Sequence, residues 1–169
     1  MTGLRWLPAV LAVLTVLLGG GAAWAAREAH DLRNTSTTRN TAMTDQTRTS
    51  QVKSQITDAV NTVFSYNHAD IAKTEKAAQE LLTGKAVQQY NGIFGVLREK
   101  ARQNNLVLTT TVTDSGVTLL DGDRARLLIF ADQHSTTTEA GKASYAPAMF
   151  AVGAIYEGDR WKIENIDTF

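Results

Sequence analysis

Hydrophobic positions follow three successive patterns along this chain: one nearly unbroken run, then a period of 3.6 residues, then a period of 2. Residues 4–26 (LRWLPAVLAVLTVLLGGGAAWAA) form the run and contain a single charge, Arg5. At 1.5 Å per helical residue such a run spans roughly 30 Å, the thickness of a bilayer core. Trp6 and Trp24 stand near its two ends, where indole rings favour the membrane interface. Residues 1–26 are therefore expected to be a transmembrane signal anchor, giving a single-pass plasma-membrane protein with its N-terminus in the cytoplasm. A basic start and the small residues around Ala23-Trp24-Ala25 also fit a cleavable secretory signal. Either way, the rest of the chain is extracytoplasmic.

Residues 27–50 (REAHDLRNTSTTRNTAMTDQTRTS) are rich in Thr and carry no apolar stripe, so they read as a polar stalk or linker. Helical periodicity starts near Gln51, with Val52, Ile56, Ala59, Val60, Val63 and Phe64 on one face. Tyr66 and Asn67 close this helix. Asn67 or Asp70 is placed to cap a second helix carrying Ile71, Ala77, Ala78, Leu81 and Leu82, and Gly84 offers the left-handed residue that ends it. A third helix places Val87, Tyr90, Phe94, Leu97 and Ala101 in line, with Gly92 and Gly95 read as allowing close packing on a sheet.

After Asn104-Asn105 the period becomes 2. Leu106, Leu108 and Val112 share a face; Ser115-Gly116 suggests a bulge; Asp121-Gly122 is a hairpin signal. In residues 124–134, Leu127 and Ile129 point one way and Leu128 and Phe130 the other, which predicts a central strand covered on both sides. Residues 145–156 form a long strand softened by Pro147 and Gly153, and residues 160–167 alternate with Trp161 and Ile163 inward. Three helices followed by about four antiparallel strands define an α+β domain over residues 51–169, with helices packed on one face of a curled sheet.

Composition narrows the chemistry. The 169 residues leave room for one small domain after the run, and 17 basic against 17 acidic residues give no bulk charge to attract nucleic acid. Cysteine is absent, which removes disulfides, thiolate catalysis and thiolate metal sites. No G-x-S-x-G motif is present; Ser115 sits at an expected bend. Residues 83–86 (TGKA) lack the flanking residues of a phosphate loop and read as a helix-to-helix turn. Asp132 and His134 share a strand face, and His68 with Asp70 stands at a helix start; neither pair has a third ligand, so no metal or other cofactor is expected. A curled sheet under helices can enclose an apolar pocket, and Tyr66, Tyr90, Asp132 and Tyr145 are the polar groups available to line one.

Three stretches carry a resemblance: FSYNHADIAKTEKAAQELLTGKAVQQY (64–90), DGDRARLLIFADQ (121–133) and GDRWKIENIDTF (158–169). Their order resembles the nuclear-transport-factor-2-like cone, the fold of SnoaL, ketosteroid isomerases and limonene epoxide hydrolases. With the N-terminal apolar run, they resemble more narrowly the Mce-associated membrane proteins of actinobacteria. That resemblance implies a non-enzymatic, membrane-anchored accessory protein that assists an Mce-type lipid import complex and contacts envelope proteins, Mce transporter subunits among them. It brings no catalytic residues with it. Two other readings stay open: an extracytoplasmic binder of a lipid or other apolar ligand within the cone, and a secreted enzyme of the same fold.

Overall fold

A computed structural model describes residues 39–103, 105–137 and 143–168 of the chain. The expected membrane anchor and residues 27–38 of the expected stalk lie outside them. Among the described residues no helix is long and apolar enough to cross a membrane.

Residues Asn40–Phe169 form one compact unit. Helix α1 (Gln46–Val63) buries Val52, Ile56, Ala59, Val60 and Val63, the stripe that the sequence predicts. Each valine or isoleucine among them contributes about 1.5–3 kcal/mol on leaving water. The helix starts before Gln51, however, because the Asp45 carboxylate caps it by accepting from Arg48 N. The chain ahead of it is tied down too: Thr41 N donates to Leu120 O at 2.7 Å, and Ala42 packs against the core. The boundary placed at residue 51 therefore moves back to Asn40. A short polar segment needs only a cap and a few backbone partners to join a domain, and neither leaves an apolar signature.

Tyr66 and Asn67 do more than close α1, since they form a two-residue strand, β1 (Tyr66–Asn67). Helix α2 (Ile71–Leu81) follows, with Asp70 as its N-cap. Gly84 then takes a left-handed φ of 55°, and a Cβ there would meet Glu164 Cγ at 3.1 Å. Helix α3 (Gly84–Gln103) buries Ala86, Tyr90 and Phe94, while Val87 faces outward. Gly92 and Gly95 do not pack on the sheet, because a Cβ at either would have no neighbour within 4 Å.

Four long strands complete the domain: β2 (Leu106–Asp121), β3 (Arg124–Thr137), β4 (Ala143–Glu157) and β5 (Arg160–Thr168). They form an antiparallel sheet in the order β1-β2-β3-β4-β5. Two-residue turns join β2 to β3 and β4 to β5. Gly122 supplies a φ of 54° in the first, and Gly158 and Asp159 supply 61° and 63° in the second. The pairing shifts register on either side of Ser115-Gly116, between Val112 and Asp114 and between Val117 and Leu119. A third shift falls between Gly153 and Ala154. Such bulges bend a sheet locally. Pro147 pairs only with Asp132 on β3, because β4 meets β5 only from Phe150 onward, so its missing N–H costs no ladder bond. The result is an α+β fold with three helices on one face of the sheet.

Candidate interaction surface

Aromatic side chains fill the centre of the space between helices and sheet. Phe64 lies 6.5 Å from Tyr90, 6.3 Å from Phe94 and 5.4 Å from Phe150, ring centre to ring centre. Tyr90 stacks on Phe94 at 4.3 Å. These rings join α1, α3 and β4 and occupy the volume that a ligand would need. Grooves open at its margins: one of about 390 Å³ between α2 and α3, lined by Ala78, Leu82, Val87 and Tyr90 among others, and one of about 410 Å³ beside β1, lined by Tyr66, Thr74 and Leu108 among others.

The four candidate pocket residues do not converge. Tyr66 and Tyr90 are buried within this core, and Tyr66 Oη makes no hydrogen bond among the described residues. Asp132 and Tyr145 stand on the opposite face of the sheet. Strand parity decides this: Leu127, Ile129 and Ala131 of β3 face the helices and are buried, so Asp132 must face away. Tyr145 pairs with His134 and shares that outer face. The Asp132 carboxylate beside it favours the neutral phenol and raises the tyrosine pKa above the ordinary 10.0. Hydrogen bonding to the neutral phenol comes first among the causes, followed by desolvation and the nearby negative charge.

Other chemical candidates resolve into structure. Ser115 is buried, with its Oγ 3.3 Å from Thr57 Oγ1. Residues 83–86 fall at the α2–α3 junction, Thr83 in the turn and Gly84 to Ala86 opening α3, and Thr83 N donates to Ile163 O at 2.8 Å. Among the described residues, no three His, Asp or Glu side chains are grouped as a metal site.

The sheet's two edges are closed by side chains, which the sequence reading missed. Along β5, Gln55 Oε1 accepts from Trp161 N at 2.8 Å. Gln89 takes both groups of Ile166: its Nε2 donates to the carbonyl at 2.8 Å and its Oε1 accepts from the N–H at 2.9 Å. Along β2, Ser65 Oγ accepts from Thr110 N, Asn61 Oδ1 from Val112 N and Asn40 Oδ1 from Leu120 N. Each stands where a neighbouring strand would otherwise bond, which closes these stretches of β5 and β2 to strand addition; Ala143–Met149 of β4, beyond the end of β5, has no such cover. The available signal was an amide beside an apolar stripe: Gln55 precedes Ile56 and Gln89 precedes Tyr90.

The outer face of the sheet is open. Phe130 is 40% exposed, Met149 50% and Tyr145 63%, and no helix lies over them among the described residues. Phe130 and Met149 are direct cross-strand partners, as are Leu128 and Ala151 beside them. The expectation that β3 is covered on both sides is therefore corrected for the described residues, among which the three helices pack on one side.

The architecture is the nuclear-transport-factor-2-like fold. The chain matches no protein-family model and no curated protein. It is similar in structure to an IcmL-like type IV secretion system protein from Legionella pneumophila, with a TM-score of 0.61 and 8% identity over 71% of this chain and 91% of that one. CagV, a VirB8 homolog of the Helicobacter pylori type IV secretion system, gives a TM-score of 0.57 and 13% identity over 71% and 98%. The VirB8 protein of Agrobacterium tumefaciens gives 0.51 and 11% over 71% and 90%. At these identities the likeness is one of fold. None of these proteins is an Mce-associated one.

Proposed function

We propose that this protein is a membrane-anchored, extracytoplasmic accessory subunit that performs no chemistry of its own and steadies a larger envelope assembly. The observation that carries the reading is the contrast between a filled interior and an open sheet face. Aromatic rings occupy the cone, which weighs against the ligand-binding and enzymatic alternatives. Apolar side chains on the open face suit a protein partner. The fold is shared with secretion-system proteins such as the VirB8 homolog CagV, which supports the same class of role. The apolar run at residues 4–26 supplies the anchor in this reading. The assembly we assign is an Mce-type lipid importer, on the three stretches that resemble Mce-associated proteins.

Cross-linking the full-length protein in its own membrane, followed by mass spectrometry of co-purified proteins and of its N-terminus, tests this. Transporter subunits with an intact N-terminus are the expected result. Secretion subunits in their place would move the assignment to the other machine. A chain beginning near residue 26, without envelope partners, would overturn the reading.

A further inference from the structure

Two lines of evidence limit what covers the open face. The edges along β5 and β2 are closed by Gln55, Gln89, Asn61 and Ser65, so a partner at those strands meets the sheet on its face. The face also carries both signs of charge, with Asp167 paired to Arg126 and Asp114 to Lys53, so it offers no uniformly basic patch to an anionic lipid surface. A protein of complementary pattern remains, and the pattern is complementary to itself.

On β3 the outward residues run Arg126, Leu128, Phe130, Asp132. A two-fold axis lying in the interface, perpendicular to β3 and midway between Leu128 and Phe130, sets a second copy's strand antiparallel to the first. Arg126 then faces Asp132 of the other copy, and Leu128 faces its Phe130. On β4 the same operation sets Gly153 against Pro147, and Met149 over Ala151, whose side chain is already buried within its own chain, because these are the register partners of the four β3 residues. Each opposition on β4 joins a small residue to a larger one, which lets two faces interdigitate. The two apolar residues of β3 end between opposite charges. An isologous contact requires this self-matching.

We propose that the open face of the sheet is a symmetric interface between two copies of this chain, packed face to face with antiparallel β3 strands. The proposal goes beyond the accessory role and stands on different residues from those that fill the cone. Arg126 is already held by Asp167 of its own chain at 3.0 Å, so its fork is positioned before the second copy arrives. Both helix layers, with their α2–α3 grooves, are left facing outward for other envelope proteins.

The chain has no cysteine, so single-cysteine variants of the full-length protein in membranes report the register directly. Stacked sheets lie about 10 Å apart, which puts residue 128 within reach of its own counterpart for a short bismaleimide. Residue 134 falls about 33 Å along the strand from its counterpart. Leu128→Cys and Met149→Cys are expected to cross-link as dimers, and His134→Cys is not.

In the Leu128→Cys background, Arg126→Glu should lower the yield roughly tenfold and a further Asp132→Arg should restore it. Asp167→Asn, which releases Arg126 from its intrachain pair but keeps its charge, should lower the yield less than Arg126→Glu does. Absence of dimer at both 128 and 149, capture of a different protein at those sites, or a strong cross-link at 134 would each overturn the proposal. So would failure of the charge reversal to restore the yield.

Discussion

The two faces of β3 are built from nearly the same side chains and meet opposite environments. Leu127 and Ile129 are fully buried under the helices, while Leu128 is half-buried and Phe130 is 40% exposed. One residue of strand separates the two sets. The difference shows that an apolar side chain on this sheet stabilises the fold only where a helix covers it. On the other face it is available to something else.

The sharpest way to break that comparison is truncation on both sides. Leu127→Ala or Ile129→Ala should cost about 2–5 kcal/mol in denaturant unfolding, from lost transfer energy and an unfilled cavity. Phe130→Ser or Met149→Ser should cost the monomer, read at a concentration too low for pairing, no more than about 1 kcal/mol. Equal losses on the two faces would mean that the outer face is covered within the chain itself.

Glycine provides the next contrast between filled and empty surroundings. Gly84→Ala should destabilise by more than about 1 kcal/mol, since φ is 55° and Glu164 Cγ stands 3.1 Å from the added methyl. Gly92→Ala and Gly95→Ala, in open helical positions, should each stabilise by about 0.5–1 kcal/mol. Thermal melts of the three variants read the sign.

The edge locks come third. Gln89→Ala strips Ile166 of two partners and should cost about 1–3 kcal/mol, with faster amide exchange at Ile166. Gln89→Glu keeps only the acceptor and should recover part of that loss.

The smallest effect belongs to Tyr145. Its folded pKa lies above the unfolded value, so the Asp132 contact supports the fold fully below the ordinary tyrosine range and is lost as pH rises through the folded pKa. In a spectroscopic tyrosine titration, Asp132→Asn should move Tyr145 back toward 10.0.

Much of this fold was legible in the sequence because its signals are local. The stripe of α1, the Asp70 cap and the turns at Gly122 and Gly158 each follow from a few adjacent residues. Strand β1 was not legible, since two residues carry no period and Tyr66 joins β2 only through tertiary pairing with Leu108. The choice of which β3 face to cover was equally hidden, as both faces offer leucine and another large apolar side chain. The candidate pocket failed for a reason the sequence did contain: Asp132 has the parity of Leu128 and Phe130. Side chains on that face could not meet Tyr90 once helices settled on the other.

Closing the sheet with amides and a serine also makes its seal divisible. A domain sealed by an extra strand must lose that strand to open, but this one can open at a single codon, at one place and by a graded amount. Substituting Gln55 or Gln89 would turn a self-contained domain into a strand acceptor without rebuilding its core. In relatives that have taken on a strand-donating partner, these amides should be the positions that have drifted.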